Sequence, residues 1–403
     1  MDFPSQDIEA TQKKISQKEF IALMAALMSF AALAIDSMLP ALNLIGDSLG
    51  VVNPNDNQMV ISFIFIGMGI GQLLFGPISD AIGRKPSMYI GIGTFFFGCI
   101  ISYSATTFNL MLLGRLIQGL GAASAKIIST AMVRDRFSGN VMAKTMSLIM
   151  IIFVLVPALA PTLGQLILSF GGWRDIFLFM IFLAIINFAW FSTRQEETLI
   201  EEYRRPLSFS KIKEATLETV KHPATVGYTL AAGLVFGAFI GYLNSSQQIL
   251  QLKYGLGDKF PIAFGVLALA IGLSSFLNSK LVEEMGMRKL CETALTVLTI
   301  VAIIFNIIVY FTNGNPSFYL FYGFLLLCLF NFGLLFGNFS ALALEPMGHI
   351  AGTANSVISS VQILISALIG STIGQLYNET VTPIAIGFLV CSMLSLFIVK
   401  KVK

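Results

Sequence analysis

Twelve apolar runs, each about as long as a bilayer is thick, restrict this chain more than any other feature. A helix needs roughly 20 apolar residues to cross a hydrocarbon core of about 30 Å. The runs lie at about 20–42, 58–79, 87–105, 109–132, 142–168, 174–193, 223–250, 260–282, 290–312, 317–343, 353–377 and 381–400. Only 12% of the 403 residues are charged, against about 25% in a soluble domain. In lipid every backbone polar group must be satisfied internally, so runs of this length become helices. The expected fold class is an all-α membrane protein of twelve transmembrane helices.

The few charges are distributed unevenly. With the N-terminus inside, twenty Lys and Arg fall in cytosolic segments, and only Arg174, Lys253 and Lys259 fall in external loops. Positive residues are retained on the cytosolic side, so both termini are expected there. The polar start, MDFPSQDIEATQKKISQKEF, lacks the apolar core of a signal peptide. Residues 1–19 read as a cytosolic tail, 20–193 and 223–400 as two six-helix bundles, and the charged 194–222 as a cytosolic linker. Net charge is only +3, which implies no nucleic-acid partner. The four cysteines stand alone in apolar runs, without metal or redox spacing. No GxxxxGK[ST] phosphate loop occurs. No nucleophile–base or metal constellation points to an enzyme.

The halves echo each other. PTLGQL at 161–166 recurs as STIGQL at 371–376, and SDAIGRK at 79–85 as VEEMGMRK at 282–289. Both pairs fall in equivalent runs or connections, as expected for two bundles related by a pseudo-twofold axis along the membrane normal.

Two charges sit inside apolar runs: Asp36 in AALAIDSMLPAL and Arg115 in MLLGRLIQGLGAASAK. A charge at membrane depth costs about 3 kcal/mol or more, so such residues face protein or water and tend to pair. At 1.5 Å per residue, Asp36 lies about 24 Å in from the cytosol and Arg115 about 9 Å in from outside. An ion pair is therefore expected. Arginine keeps its charge, so Asp36 would titrate and Arg115 would tune it; the alternative is a fixed pair holding two helices together. Lys126, eleven residues after Arg115, shares its face about 16 Å deeper. It reads equally as a cavity charge and as a lysine snorkelling to the interface.

Four stretches resemble signatures of the major facilitator superfamily. GPISDAIGRKP (76–86) is similar to its loop 2–3 motif, LLGRLIQGLGAA (112–123) to its fourth-helix antiporter motif, IDSMLPAL (35–42) to the first-helix motif of twelve-span drug antiporters, and LVPALAPTLGQL (155–166) to their fifth-helix motif. MVRDRF (132–137) and ALEPMGHIAGTANS (343–356) bring the likeness closest to the Bcr/CflA multidrug group. One departure stands out: Ala160-Pro161 and Gly164-Gln165 occupy positions where the general antiporter pattern has Gly-Pro and Gly-Gly.

The resemblance implies a monomeric, proton-driven exporter of small amphipathic drugs, with no cofactor beyond the proton gradient. A metabolite or siderophore carrier on the same scaffold is the alternative. It also implies that Asp36 and Arg115 couple protons, and that Gly76, Asp80, Gly83, Arg84, Arg134 and Asp135 form a conformational latch. In that latch Asp80 meets the start of the eleventh helix near Gly352. A substrate surface is expected among Met38, Gln118, Phe239, Tyr242 and Asn331, because the second half carries amides and aromatics but no embedded acid.

Overall fold

The computed structural model describes residues 15–204 and 209–402. Most of the expected tail, and part of the linker, lie outside the described residues. Eleven apolar helical stretches are long enough to span a bilayer among the described residues. The longest, Phe318–Gln375, is two helices joined by a 3-10 turn at Glu345–Ile350, which makes twelve. In the first half they are α1 (Gln17–Asp36), α2 (Met59–Ile82), α3 (Arg84–Tyr103), α4 (Phe108–Arg136), α5 (Gly139–Phe170) and α6 (Trp173–Arg194). In the second half they are α7 (Pro223–Ser246), α8 (Phe260–Met285), α9 (Met287–Phe311), α10 (Phe318–Leu344), α11 (Ala351–Gln375) and α12 (Thr382–Lys401). A helix at Phe209–Lys221 occupies the linker.

Glycines set how closely the helices approach. A Cβ on Gly67 would lie 2.0 Å from the Leu116 carbonyl oxygen, and one on Gly119 would lie 2.0 Å from that of Ile64. The α2–α4 contact is therefore backbone against backbone. Gly69 and Gly76, on another face of α2, meet Leu364 and Ser356 of α11 instead. One glycine-rich helix thus joins its own half on one side and the other half on the opposite side.

The internal duplication is visible in three dimensions. Gly83 (φ +104°) separates α2 from α3, and Gly286 (φ +77°) separates α8 from α9. These backbone angles favour glycine. Gly164 of α5 abuts Ser37 at the end of α1, and Gly374 of α11 abuts Asn244 of α7. Both echoing sequence pairs therefore occupy equivalent places in the two halves.

Candidate functional site: a broken first helix between two halves

α1 stops at Asp36 because of Pro40. Proline has no N–H to donate to the carbonyl four residues back, which here is that of Asp36. A 3-10 turn at Leu39–Ala41 follows, then a short helix at Leu42–Ser48. The Met38 amide bonds to the Ile35 carbonyl, and the Ser37 amide to that of Leu33. The Ala34 carbonyl is thereby freed from its helical donor. Gly164 holds the break from the α5 side, since a Cβ there would stand 2.1 Å from the Ser37 carbonyl oxygen.

Arg115 takes the freed carbonyl. Its guanidinium donates to the Ala34 oxygen at 2.7 Å, to the Val60 oxygen at 3.0 Å and to Gln118 Oε1 at 2.5 Å. It lies 5.8 Å from the Phe177 ring centroid and is wholly buried. The expected ion pair with Asp36 is not formed among the described residues. The reason is geometric. Arg115 sits inside the first half, clamped between α1, α2 and α4. Asp36 sits where the halves meet, within electrostatic range of the Tyr242 hydroxyl on α7. Asp36 is 5% exposed and Tyr242 2% exposed, and the Tyr242 hydroxyl has no hydrogen-bond partner among the described residues.

Gln118 needs a second correction. It was expected on the substrate surface but belongs to the interior of the first half. Its amide donates to Cys99 Sγ of α3 and Met180 Sδ of α6, each at 3.1 Å. Met38 is fully buried, and Asn331 is buried with its amide on the Leu327 carbonyl of its own helix. Phe239 and Tyr242 do lie together, in a cluster of rings with Phe236, Phe332, Phe336 and Phe264. Phe65 of α2 reaches this cluster from the first half, 6.1 Å from Phe236.

At the end of the molecule that carries the chain termini, Arg84 is 3% exposed. It donates to Asp135 Oδ2 at 2.9 Å, to Asp80 Oδ1 at 2.5 Å and to Ser79 Oγ at 2.9 Å. Asp80 lies 3.8 Å from where a Cβ on Gly352 would stand, so it does meet the start of α11. Gly76 packs on Ser356 nearby. Arg134 is exposed and joins no ion pair among the described residues. Arg136 donates instead to the Ile15 carbonyl and stacks on Phe20.

Glu197 completes this network, although in the sequence it is one more charge in a charged linker. Its carboxylate accepts from the backbone amides of Arg84, Lys85, Thr198 and Leu199 at 2.9–3.0 Å. Gly83 must be glycine for two reasons: its φ, and the Glu197 oxygen that would lie 2.4 Å from a Cβ.

Asn55 was also missed. Its side-chain amide donates to the Gln375 and Tyr377 carbonyls at 3.0 and 2.8 Å, and its Oδ1 accepts from Gln248 at 2.9 Å. Gln375 returns a bond to the Asn55 carbonyl at 3.0 Å. With Asn244–Ser62 at 3.1 Å and Gln165–Asp258 at 3.4 Å, these bonds fasten the halves together on the face away from the termini. Ser360 to the Gly69 carbonyl, 2.7 Å, joins them at mid-depth. On the termini side the described residues of the two halves pack at Gly76–Ser356 and Asp80–Gly352.

The model of the Major Facilitator Superfamily matches residues 21–371. The chain is 27% identical to the bicyclomycin resistance protein homolog of Haemophilus influenzae, over 93% of this chain and 94% of that one. It is also 27% identical to the multidrug resistance protein MdtL of Vibrio parahaemolyticus, over 86% of each. Among solved structures it resembles the xylose transporter XylE of E. coli in a partially occluded inward-open conformation. The TM-score is 0.71 at 16% identity, over 95% of this chain and 96% of that one. The human organic anion transporter MFSD10 aligns with a TM-score of 0.73 at 16% identity, over 97% and 100% of the two chains. Twelve helices in two equivalent halves, the Arg84 network between α2 and α4, and this family match lead to one conclusion: the chain belongs to the Major Facilitator Superfamily and is a membrane transporter, not an enzyme.

Proposed function

We propose that the protein exports small amphipathic compounds in exchange for protons, by alternating access across a bacterial inner membrane with both termini in the cytosol. The drug-resistance relatives support the direction and the substrate type. The observation that carries the coupling is Asp36, a carboxylate buried between the halves with no ion-pair or hydrogen-bond partner among the described residues.

Closing two apolar halves over an unpaired carboxylate is far costlier than closing them over a neutral carboxyl. Protonation of Asp36 therefore favours the state in which the Asn55 side is shut. In the opposite state, water from the far side reaches Asp36 and can load it. Release of that proton on the termini side and binding of substrate there would favour reopening outward. Arg115 has a supporting part: it holds the α1 break, and so the position of Asp36, through the Ala34 carbonyl.

The test is Asp36→Asn in proteoliposomes. It is expected to lose pH-gradient-driven flux while keeping downhill exchange of substrate. Undiminished gradient-driven flux would exclude Asp36 as the carrier.

A further inference from the structure

Lys126 has no part in the coupling just described. It lies ten residues before the end of α4 at Arg136, about 15 Å along the axis. Leu113 is exposed, and Leu116, Ile117, Leu120 and Ile127 are half-buried; at helical spacing they mark the lipid-facing stripe of α4. Lys126 is turned about 140° away from that stripe. It shares its face with Arg115, Ala122 and Val133, all buried. Lys126 alone on that face is exposed. The face opposite the lipid turns inward, so the exposed Lys126 side chain opens onto a gap inside the protein and not onto lipid. Snorkelling is thereby set aside, because the stem points away from lipid and the helix end is several side-chain segments distant.

No acid pairs with Lys126 among the described residues. The second half presents rings at the same level. Phe236 and Phe239 of α7 and Phe336 of α10 are half-buried, with centroids 5.1–5.9 Å apart. Phe336 lies about 12 Å in from the termini end of α10, and Phe236 about 20 Å in along α7. Lys126, at about 15 Å, falls between them. α4 and α10 are repeat equivalents, and they carry the charge and the rings at similar depth.

We infer that this gap binds an amphipathic organic anion, with its carboxylate or sulfonate on the Lys126 ammonium and its apolar body against Phe236, Phe239 and Phe336. An unpaired ammonium at membrane depth is costly, and a bound anion removes that cost through a charge-assisted hydrogen bond. The inference rests on the transport reading and narrows its substrate class.

Titration calorimetry on the purified full chain tests it with a matched pair, 2-naphthoate and the neutral 2-naphthamide. The wild type should bind the naphthoate about tenfold more tightly than the amide, a ratio typical of one charge-assisted contact. Lys126→Gln should erase that ratio without weakening the amide, and Lys126→Arg should keep it. Equal binding of the two by the wild type, no binding of the naphthoate, or a ratio unchanged in Lys126→Gln would each overturn the inference. The exporter reading is tested separately, by pH-gradient-driven flux of the amide. Flux of the amide without charge preference would reject the anion site alone. Charge-selective binding without any flux would reject export alone.

Discussion

Arg115 donates 2.7 Å to the carbonyl of Ala34, two residues before Asp36, and forms no ion pair with the Asp36 carboxylate. An arginine buried in the membrane can be satisfied by carbonyls that a neighbouring helix has left free. Here Pro40 interrupts α1 and frees one. The two charges are thus linked through backbone.

A double-mutant cycle tests this. If Asp36 and Arg115 do not pair, the stability effects of Asp36→Asn and Arg115→Gln should add to within about 0.5 kcal/mol. A coupling energy of about 2 kcal/mol or more between them, read from unfolding in detergent, would reinstate the ion pair.

Arg115→Ala should destabilise the first half by about 3 kcal/mol, because it strands the Val60 and Ala34 carbonyls and the Gln118 amide oxygen. Arg115→Lys should recover only part of this, since one ammonium cannot reproduce the planar fork across three acceptors. Thermal unfolding of the purified variants reads both effects.

How much of this was legible in the sequence depends on the kind of contact. Spacing and charge placed the twelve helices. The GPISDAIGRKP stretch pointed to Asp80, Arg84 and Gly76 through its resemblance to the superfamily's loop 2–3 motif. Helical periodicity put Arg115 and Lys126 on one face, but it does not say which neighbouring helix that face meets, nor that an acceptor there would be a carbonyl. Gln118, one turn beyond Arg115, looked like cavity lining for the same reason; burial against Cys99 and Met180 depends on how α3 and α6 pack. Glu197 and Asn55 act through backbone groups distant in the chain, and nothing in their local sequence marks them.

Gly164→Ala should impair both folding and transport. Its Cβ would stand 2.1 Å from the Ser37 carbonyl oxygen, and backbone cannot move aside as a side chain would. Ala158→Gly, on the same helix, gives a comparison that loses a buried methyl and about 1 kcal/mol of helix propensity but introduces no clash. Measured unfolding temperatures should fall further for Gly164→Ala than for this control.

Glu197→Ala removes the acceptor of the Arg84 and Lys85 amides. Hydrogen exchange at the start of α3 should accelerate by about tenfold or more, with α9, its equivalent in the second half, unchanged. Unaltered exchange at Arg84 and Lys85 would remove Glu197 from the network.

Asn55→Ala deletes three of the bonds that fasten the far side. A cysteine at Ser62, in a background lacking the four native cysteines, should then react faster with a membrane-impermeant thiol reagent added from outside. An unchanged rate would show that Asn55 does not hold that side shut.

The central claim is that Asp36 alone carries the proton. It is tested most directly by proton flux, recorded with a pH-sensitive dye inside proteoliposomes as substrate is added. The wild type should move protons against substrate. Asp36→Asn should exchange substrate with no proton movement, and Arg115→Lys, if folded, should still couple the two. Substrate-driven proton movement that persists in Asp36→Asn would contradict the account.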